Sequence, residues 1–165
     1  MIRRPTLKMV LVLGAMLLGA SAPAEAALQP AGTSGWQPAG TGDSEFHCGA
    51  PATTETQYGF VRFQACVIVS YRSNGAHYQG LLSAYYRSTR VPPISDSFTG
   101  SIWSYIDGIR VEGGSCGTAT FSHGAHKWCF TPTRFASGHG HKLYAKGHLA
   151  YRGVGKYVYS PVVLS

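Results

Sequence analysis

Residues 61–71 alternate without a break, and no other stretch of the chain limits its fold as sharply. Val61, Phe63, Ala65, Val67, Val69 and Tyr71 fall on one side, and Arg62, Gln64, Cys66, Ile68 and Ser70 on the other. Period two in β-branched and aromatic residues is the pattern of a pleated strand. On a helix the same residues would be spread around the circumference. Asn74-Gly75 follows as a hairpin signal, within a loop over 72–77 that reads as longer than a minimal turn. Residues 78–87 return as the partner strand, and so short a connection implies antiparallel pairing. Val91-Pro92-Pro93 then interrupts pairing, because proline has no amide donor. Residues 98–106 form the next strand, and Asp107-Gly108 turns the chain into a short piece over 109–112 that Gly113-Gly114 ends. Residues 118–121, 127–131, 142–152 and 156–163 complete the set, and no window carries a 3.6-residue apolar period of helical length. The expected fold is all-β: an antiparallel β-sandwich or barrel of about seven to eight short strands. An immunoglobulin domain is not expected, since Trp128 directly precedes Cys129 instead of standing between two bridged cysteines.

The first 26 residues read as a secretory signal peptide. Arg3, Arg4 and Lys8 make a basic head, residues 9–20 are uncharged and apolar, and Ala24-Glu25-Ala26 supplies the small residues of a cleavage site. A bilayer span needs about 20 apolar residues, so these twelve predict no transmembrane segment. Residues 27–45 are rich in Gly, Ala, Thr, Ser and Pro around Trp36 and read as a flexible arm. Residues 46–165 then form a single β domain. An oxidising destination turns the even count of four cysteines into two disulfides. Spacing leaves three connectivities open, of which Cys48–Cys66 and Cys116–Cys129 close the most local loops, each contributing about 3 kcal/mol. Cys66 and Cys129 fall on the more polar sides of their strands, which suits bridges pinning loops over an outer face.

The formal charge is +7, and loss of the leader removes three cations and one anion, leaving +5. That balance favours anionic partners and also keeps a protein soluble. Residues 142–152 concentrate it. Leu143, Ala145, Gly147, Leu149 and Tyr151 point inward, whereas Lys142, Tyr144, Lys146, His148, Ala150 and Arg152 point outward. Side chains on one face of a strand stand about 7 Å apart. Lys142, Tyr144, Lys146, His148 and Arg152 therefore form a candidate binding stripe for the phosphate, carboxylate or sulfate groups of a polymer, with Tyr144 offering a ring to a sugar. The competing explanation is the solvated outer face of an antiparallel sheet, and lysines there also discourage edge-to-edge aggregation.

Other chemistries find less support. Gly42-Asp43-Ser44 carries the three letters around some nucleophilic serines, but it lacks the flanking glycines or the preceding strand and reads as a turn before Cys48. His139, His141 and His148, with His123 and His126, hint at metal binding, yet His141 and His148 are seven apart and face opposite sides of a strand. Asp96, Asp107 and Glu112 are the only candidate pair-forming carboxylates for a glycosidase, and each adjoins a turn signal. No catalytic residue, metal or cofactor is expected. The ten tyrosines cannot all be buried, because adjacent residues face opposite ways, and those left outside suit carbohydrate or protein contacts.

The Ala24-Glu25-Ala26 ending, Gln64-Ala65-Cys66-Val67, Trp128-Cys129-Phe130 and Ser137-Gly138-His139-Gly140-His141 resemble small secreted β-rich proteins of high-G+C Gram-positive bacteria, across residues 48–161. The resemblance brings no activity with it. The functional expectation is a secreted, non-enzymatic binding or surface-associated module for an anionic extracellular or cell-envelope polymer. The alternatives are a secreted inhibitor or toxin-like protein using the loops at 87–96 and 134–140 against another protein, and a small secreted hydrolase. Nucleic acid is not expected as the physiological partner.

Overall fold

The computed structural model describes residues 35–38 and 46–165, and every regular element in them is a strand. Among these residues no helix is long and apolar enough to cross a membrane. The signal peptide and the Gly42-Asp43-Ser44 turn lie outside the described residues.

The strands are β1 (Gln37–Pro38), β2 (Phe46–Cys48), β3 (Ala52–Glu55), β4 (Gly59–Arg72), β5 (Gly75–Ser88), β6 (Asp96–Ile106), β7 (Ile109–Phe121), β8 (His126–Phe130), β9 (Arg134–Ser137), β10 (Lys142–Tyr151), β11 (Val154–Tyr159) and β12 (Val163–Leu164). They form two antiparallel sheets. The larger runs β1-β8-β5-β4-β2, with β3 also on β4 and β9 also on β5; the smaller runs β11-β10-β6-β7, with β12 also on β10. The sheets pack face to face as a sandwich and do not close into a barrel.

Alternation decides which side chains meet between the sheets. Val61, Phe63, Ala65, Val67 and Val69 of β4 and Tyr78, Leu82, Ala84 and Tyr86 of β5 face Phe98 and Ile102 of β6 and Leu143, Ala145 and Leu149 of β10. Edge-on aromatic contacts run through this layer from Trp36 to Phe121 to Phe98, with ring centroids 5.2 Å apart at each step. Lys156 of β11 donates to the Thr53 carbonyl of β3 at 2.8 Å, and Arg134 of β9 pairs with Glu112 of β7, so polar contacts close the rims between the sheets.

Both expected disulfides form, Cys48–Cys66 and Cys116–Cys129, as befits a protein that matures in an oxidising environment. Their surroundings differ from expectation. Cys129 points inward, and its bridge to Cys116 ties the larger sheet to the smaller one inside the core. Only Cys48–Cys66 lies on an outer face, where it joins neighbouring strands beside Ile68, Leu81 and Phe130.

Several boundaries also move. The β4–β5 turn is only Ser73-Asn74, since Arg72 already pairs with Gly75. The pieces expected at 109–112 and 118–121 are one strand, β7. Register against β6 shifts at Cys116, beside Gly117 (φ 74°), and at Val111, two residues before Gly113 (φ 139°), so these glycines lie inside one strand instead of ending it. The strand expected over 156–163 is split into β11 and β12 around Pro161. Part of the arm is docked: Gln37–Pro38 pairs with β8, and the Trp36 indole donates to the Gly117 carbonyl at 3.1 Å. That indole occupies the space where Gly100 has no side chain, because a Cβ at 100 would overlap it.

Candidate functional site

The outer face of the smaller sheet gathers several exposed rings around a cation. Since Leu143, Ala145 and Leu149 are buried, Tyr144, Lys146 and His148 must project the other way. Register then selects their neighbours. Tyr144 lies opposite Tyr105, Lys146 lies between Trp103 and Tyr159, and His148 lies between Ser101 and Tyr157. Directly opposed residues bring their Cβ atoms to about 4.5–5.5 Å, close enough for each row to touch.

Tyr105 and Tyr144 stack with centroids 4.7 Å apart and planes within 6°. The Lys146 ammonium lies 4.2 Å from the Tyr157 ring centroid and 5.5 Å from that of Tyr159. A hydrogen bond with the Tyr159 hydroxyl raises the Lys146 pKa and outweighs the opposing effect of partial burial, so the group stays charged across the neutral range. The His148 ring lies 4.5 Å from that of Tyr157. Gly155 makes this possible, since a Cβ there would overlap the imidazole. Tyr157 and Tyr159 remain 55% and 52% exposed, so their rings are open to a ligand. Serine and threonine hydroxyls extend the face along β6 and β7, where Thr99 meets Thr118 at 2.7 Å and Ser97 meets Thr120 at 3.0 Å.

This arrangement changes the stripe expected from the sequence. Tyr144, Lys146 and His148 share the face, and Lys142 stands at its end, where its amide donates to Asp107 at 2.8 Å. Arg152 does not join them. It occupies the two-residue β10–β11 turn with φ of 49°, and its guanidinium donates to the Gln57 side chain at 2.6 Å. The result is an ammonium, Lys146, set among rings, with Lys142 at the end of the face and Arg152 off it. Tyr157, Tyr159 and Tyr105 were legible as tyrosines that could not all be buried. Their convergence on Lys146, and the inclusion of Trp103, follows only from strand order.

The remaining candidates separate. His139 lies 3.3 Å from the Ser73 carbonyl, and His123 lies against the Ser88 backbone. His141 bonds Asp107 at 2.7 Å and the Ser137 carbonyl at 2.9 Å. Among the described residues no group of three or more His, Cys, Asp or Glu side chains could hold a metal ion. The Asp107 bond raises the pKa of His141, and the same bond lowers that of Asp107. Asp96 and Asp107 stand at opposite ends of β6, about 35 Å apart at strand rise, and Glu112 is held by Arg134. Asp96 and Asp107 are too far apart to flank one glycosidic bond. Residues 134–137 are paired into the sheet as β9, so the second expected loop is largely strand.

No protein-family model matches the chain, and no curated protein or solved structure matches it either.

Proposed function

We propose that the protein is a secreted, non-enzymatic binding module that holds an anionic, sugar-containing polymer of the extracellular space or cell envelope against the outer face of the smaller sheet. The observation that carries this reading is the Lys146 ammonium set among Tyr157, Tyr159 and Trp103, beside the stacked Tyr105–Tyr144 pair. Flat rings with hydroxyl tips suit the apolar faces and hydroxyls of sugars. The Lys146 ammonium selects for a negative substituent, and none of these platform residues is acidic. Antiparallel strands hold the rings in place before a ligand arrives, so little ordering opposes binding. A pull-down of the mature protein with anionic cell-wall polymers at two salt concentrations tests the reading. Binding should weaken as salt rises, because exposed charges are screened within about 8 Å at physiological ionic strength. Lys146→Glu should abolish it, and full retention by that variant would refute the assignment.

The inhibitor reading retains one supporting observation. The β5–β6 loop projects Val91, which is 97% exposed. The Ser88 hydroxyl accepts from the Arg90 and Ile94 amides at 3.2 and 3.1 Å, and the Tyr86 hydroxyl donates to the Ile94 carbonyl at 3.0 Å. A braced loop with an apolar tip is a reasonable protein-contact element. On the platform reading Val91→Asp leaves polymer binding unchanged; on the inhibitor reading it removes binding to the target protein.

A further inference from the structure

The outer face of the larger sheet carries a second cleft, of about 290 Å3, lined by Pro51, Arg62, Phe63, Gln64, Ser83, Tyr85 and His126. Register builds its floor as two rows across β4, β5 and β8. Arg62, Tyr85 and His126 make one row, and Gln64, Ser83 and Trp128 the next.

Hydrogen bonding defines what this floor presents. Ser83 Oγ lies 2.8 Å from His126 Nε2, and the Trp128 indole N–H donates to the same nitrogen at 3.3 Å. An indole is only a donor, so Nε2 carries the lone pair, and the neutral ring then bears its proton on Nδ1. Burial lowers the pKa of His126, which favours that neutral state. The Arg62 guanidinium, the Gln64 amide and the Tyr85 hydroxyl make no hydrogen bond or ion pair among the described residues. Glu55 of β3 stands opposite Phe60, two residues along β4 from Arg62 and so the next position on the same face, and forms no ion pair with it. The lining therefore offers several donors and no acid.

We propose that this cleft binds a sugar ring bearing a carboxylate, with Arg62 pairing the carboxylate, and Gln64 and Tyr85 meeting the hydroxyls. A single guanidinium matches a singly charged, planar anion through its fork geometry. A phosphate would call for further cations or free backbone amides, whereas the amides of β4 and β5 are used in the ladder. The volume lies at the small end of ligand clefts, about 300–1,000 Å3, and fits one ring rather than a chain. Tyr85 and Pro51 supply flat apolar walls. The cleft is on the opposite sheet from the Lys146 platform, and this assignment does not depend on polymer binding there.

The test is a titration of the mature protein, following the His126 imidazole and Tyr85 ring signals by NMR, with D-glucuronate, D-glucose, acetate and inorganic phosphate as separate probes. Glucuronate should shift both signals, with glucose, acetate and phosphate at least about tenfold weaker. Arg62→Met should weaken glucuronate by about tenfold or more while leaving signals from the opposite sheet unchanged. Tyr85→Phe, which keeps the ring, should weaken it less. Absence of a glucuronate shift, equal response to acetate or phosphate, or full binding by Arg62→Met would each overturn the proposal.

Discussion

Docking of the Trp36 segment can be tested by removing the indole and, separately, by filling the space it occupies. Trp36 is half-buried, meets Phe121 edge-on at 5.2 Å and donates to the Gly117 carbonyl at 3.1 Å. A fully buried Trp→Ala change costs about 3–5 kcal/mol. Partial burial reduces this, while the edge contact accounts for about 0.5–1.5 kcal/mol and the hydrogen bond for about 1 kcal/mol. Trp36→Ala should therefore cost about 2–3 kcal/mol, which for a domain of this size lowers the melting temperature by about 6–12 °C. Gly100→Ala supplies the reciprocal perturbation. Its new Cβ would overlap the indole in the native protein, whereas once the indole is gone its nearest neighbour is the mobile end of the Leu82 side chain, 3.2 Å away. Gly100 does not have a positive φ, so alanine adds no backbone strain there. The two changes should thus be strongly non-additive: Gly100→Ala destabilises the native protein and is neutral in the Trp36→Ala background. Thermal unfolding of the four proteins without reductant measures this cycle. Additive effects, or a Trp36→Ala melting temperature within about 1 °C of the native value, would show that the segment is not docked.

Replacing both Cys116 and Cys129 by Ala should cost about 3 kcal/mol in denaturant unfolding, because the bridge joins the two sheets; an unchanged midpoint would contradict that role. Peptide mapping should return Cys48–Cys66 and Cys116–Cys129, with no thiol labelled before reduction. The His141–Asp107 pair sets a pH dependence. His141, with its pKa raised, stabilises fully below about pH 6.5 and loses that contribution as pH rises through the raised value. Asp107, with its pKa lowered, stabilises above about pH 3.9 and loses its contribution as pH falls through the lowered value. The stability difference between native protein and Asp107→Asn should accordingly be greatest at about pH 4–6.5 and shrink on either side; a difference that does not vary with pH would refute the pairing. Chelator should leave the melting temperature unchanged, and a zinc-induced rise of several degrees lost in a His139→Ala, His141→Ala double variant would overturn that.

Most of the sheet was legible from local pattern. Alternation in β4 and β10 told which side chains face the core, and Asp107-Gly108 closes the hairpin it signals, both residues having positive φ. What remained hidden depends on distant partners. β9 is four residues long with Phe135 turned outward, so it carries no apolar alternation. The docked segment is Gly- and Pro-rich, and only the bare surface at Gly100 explains why Trp36 settles there. Gly113-Gly114 resembled a strand end because glycine marks both termini and irregular strand interiors, and here the pair lies inside β7 close to the register shift at Val111. At the candidate site the sequence placed Tyr144, Lys146 and His148 on one face, but β6 and β11 supply the other rings, and pairing order cannot be read from a single strand. Arg152 was expected on that face because alternation was carried one residue past the strand, into a turn that sends its side chain to Gln57.

The most direct test of the account is amide chemical-shift mapping of the isotopically labelled mature protein, titrated with fragments of an anionic cell-wall polysaccharide at low and high salt. Perturbations should centre on residues 101–105, 144–148 and 157–159, weaken at high salt, and vanish in Lys146→Glu. Binding that leaves these amides unmoved, or survives the charge reversal, would contradict the assignment of the smaller sheet's outer face as the binding surface.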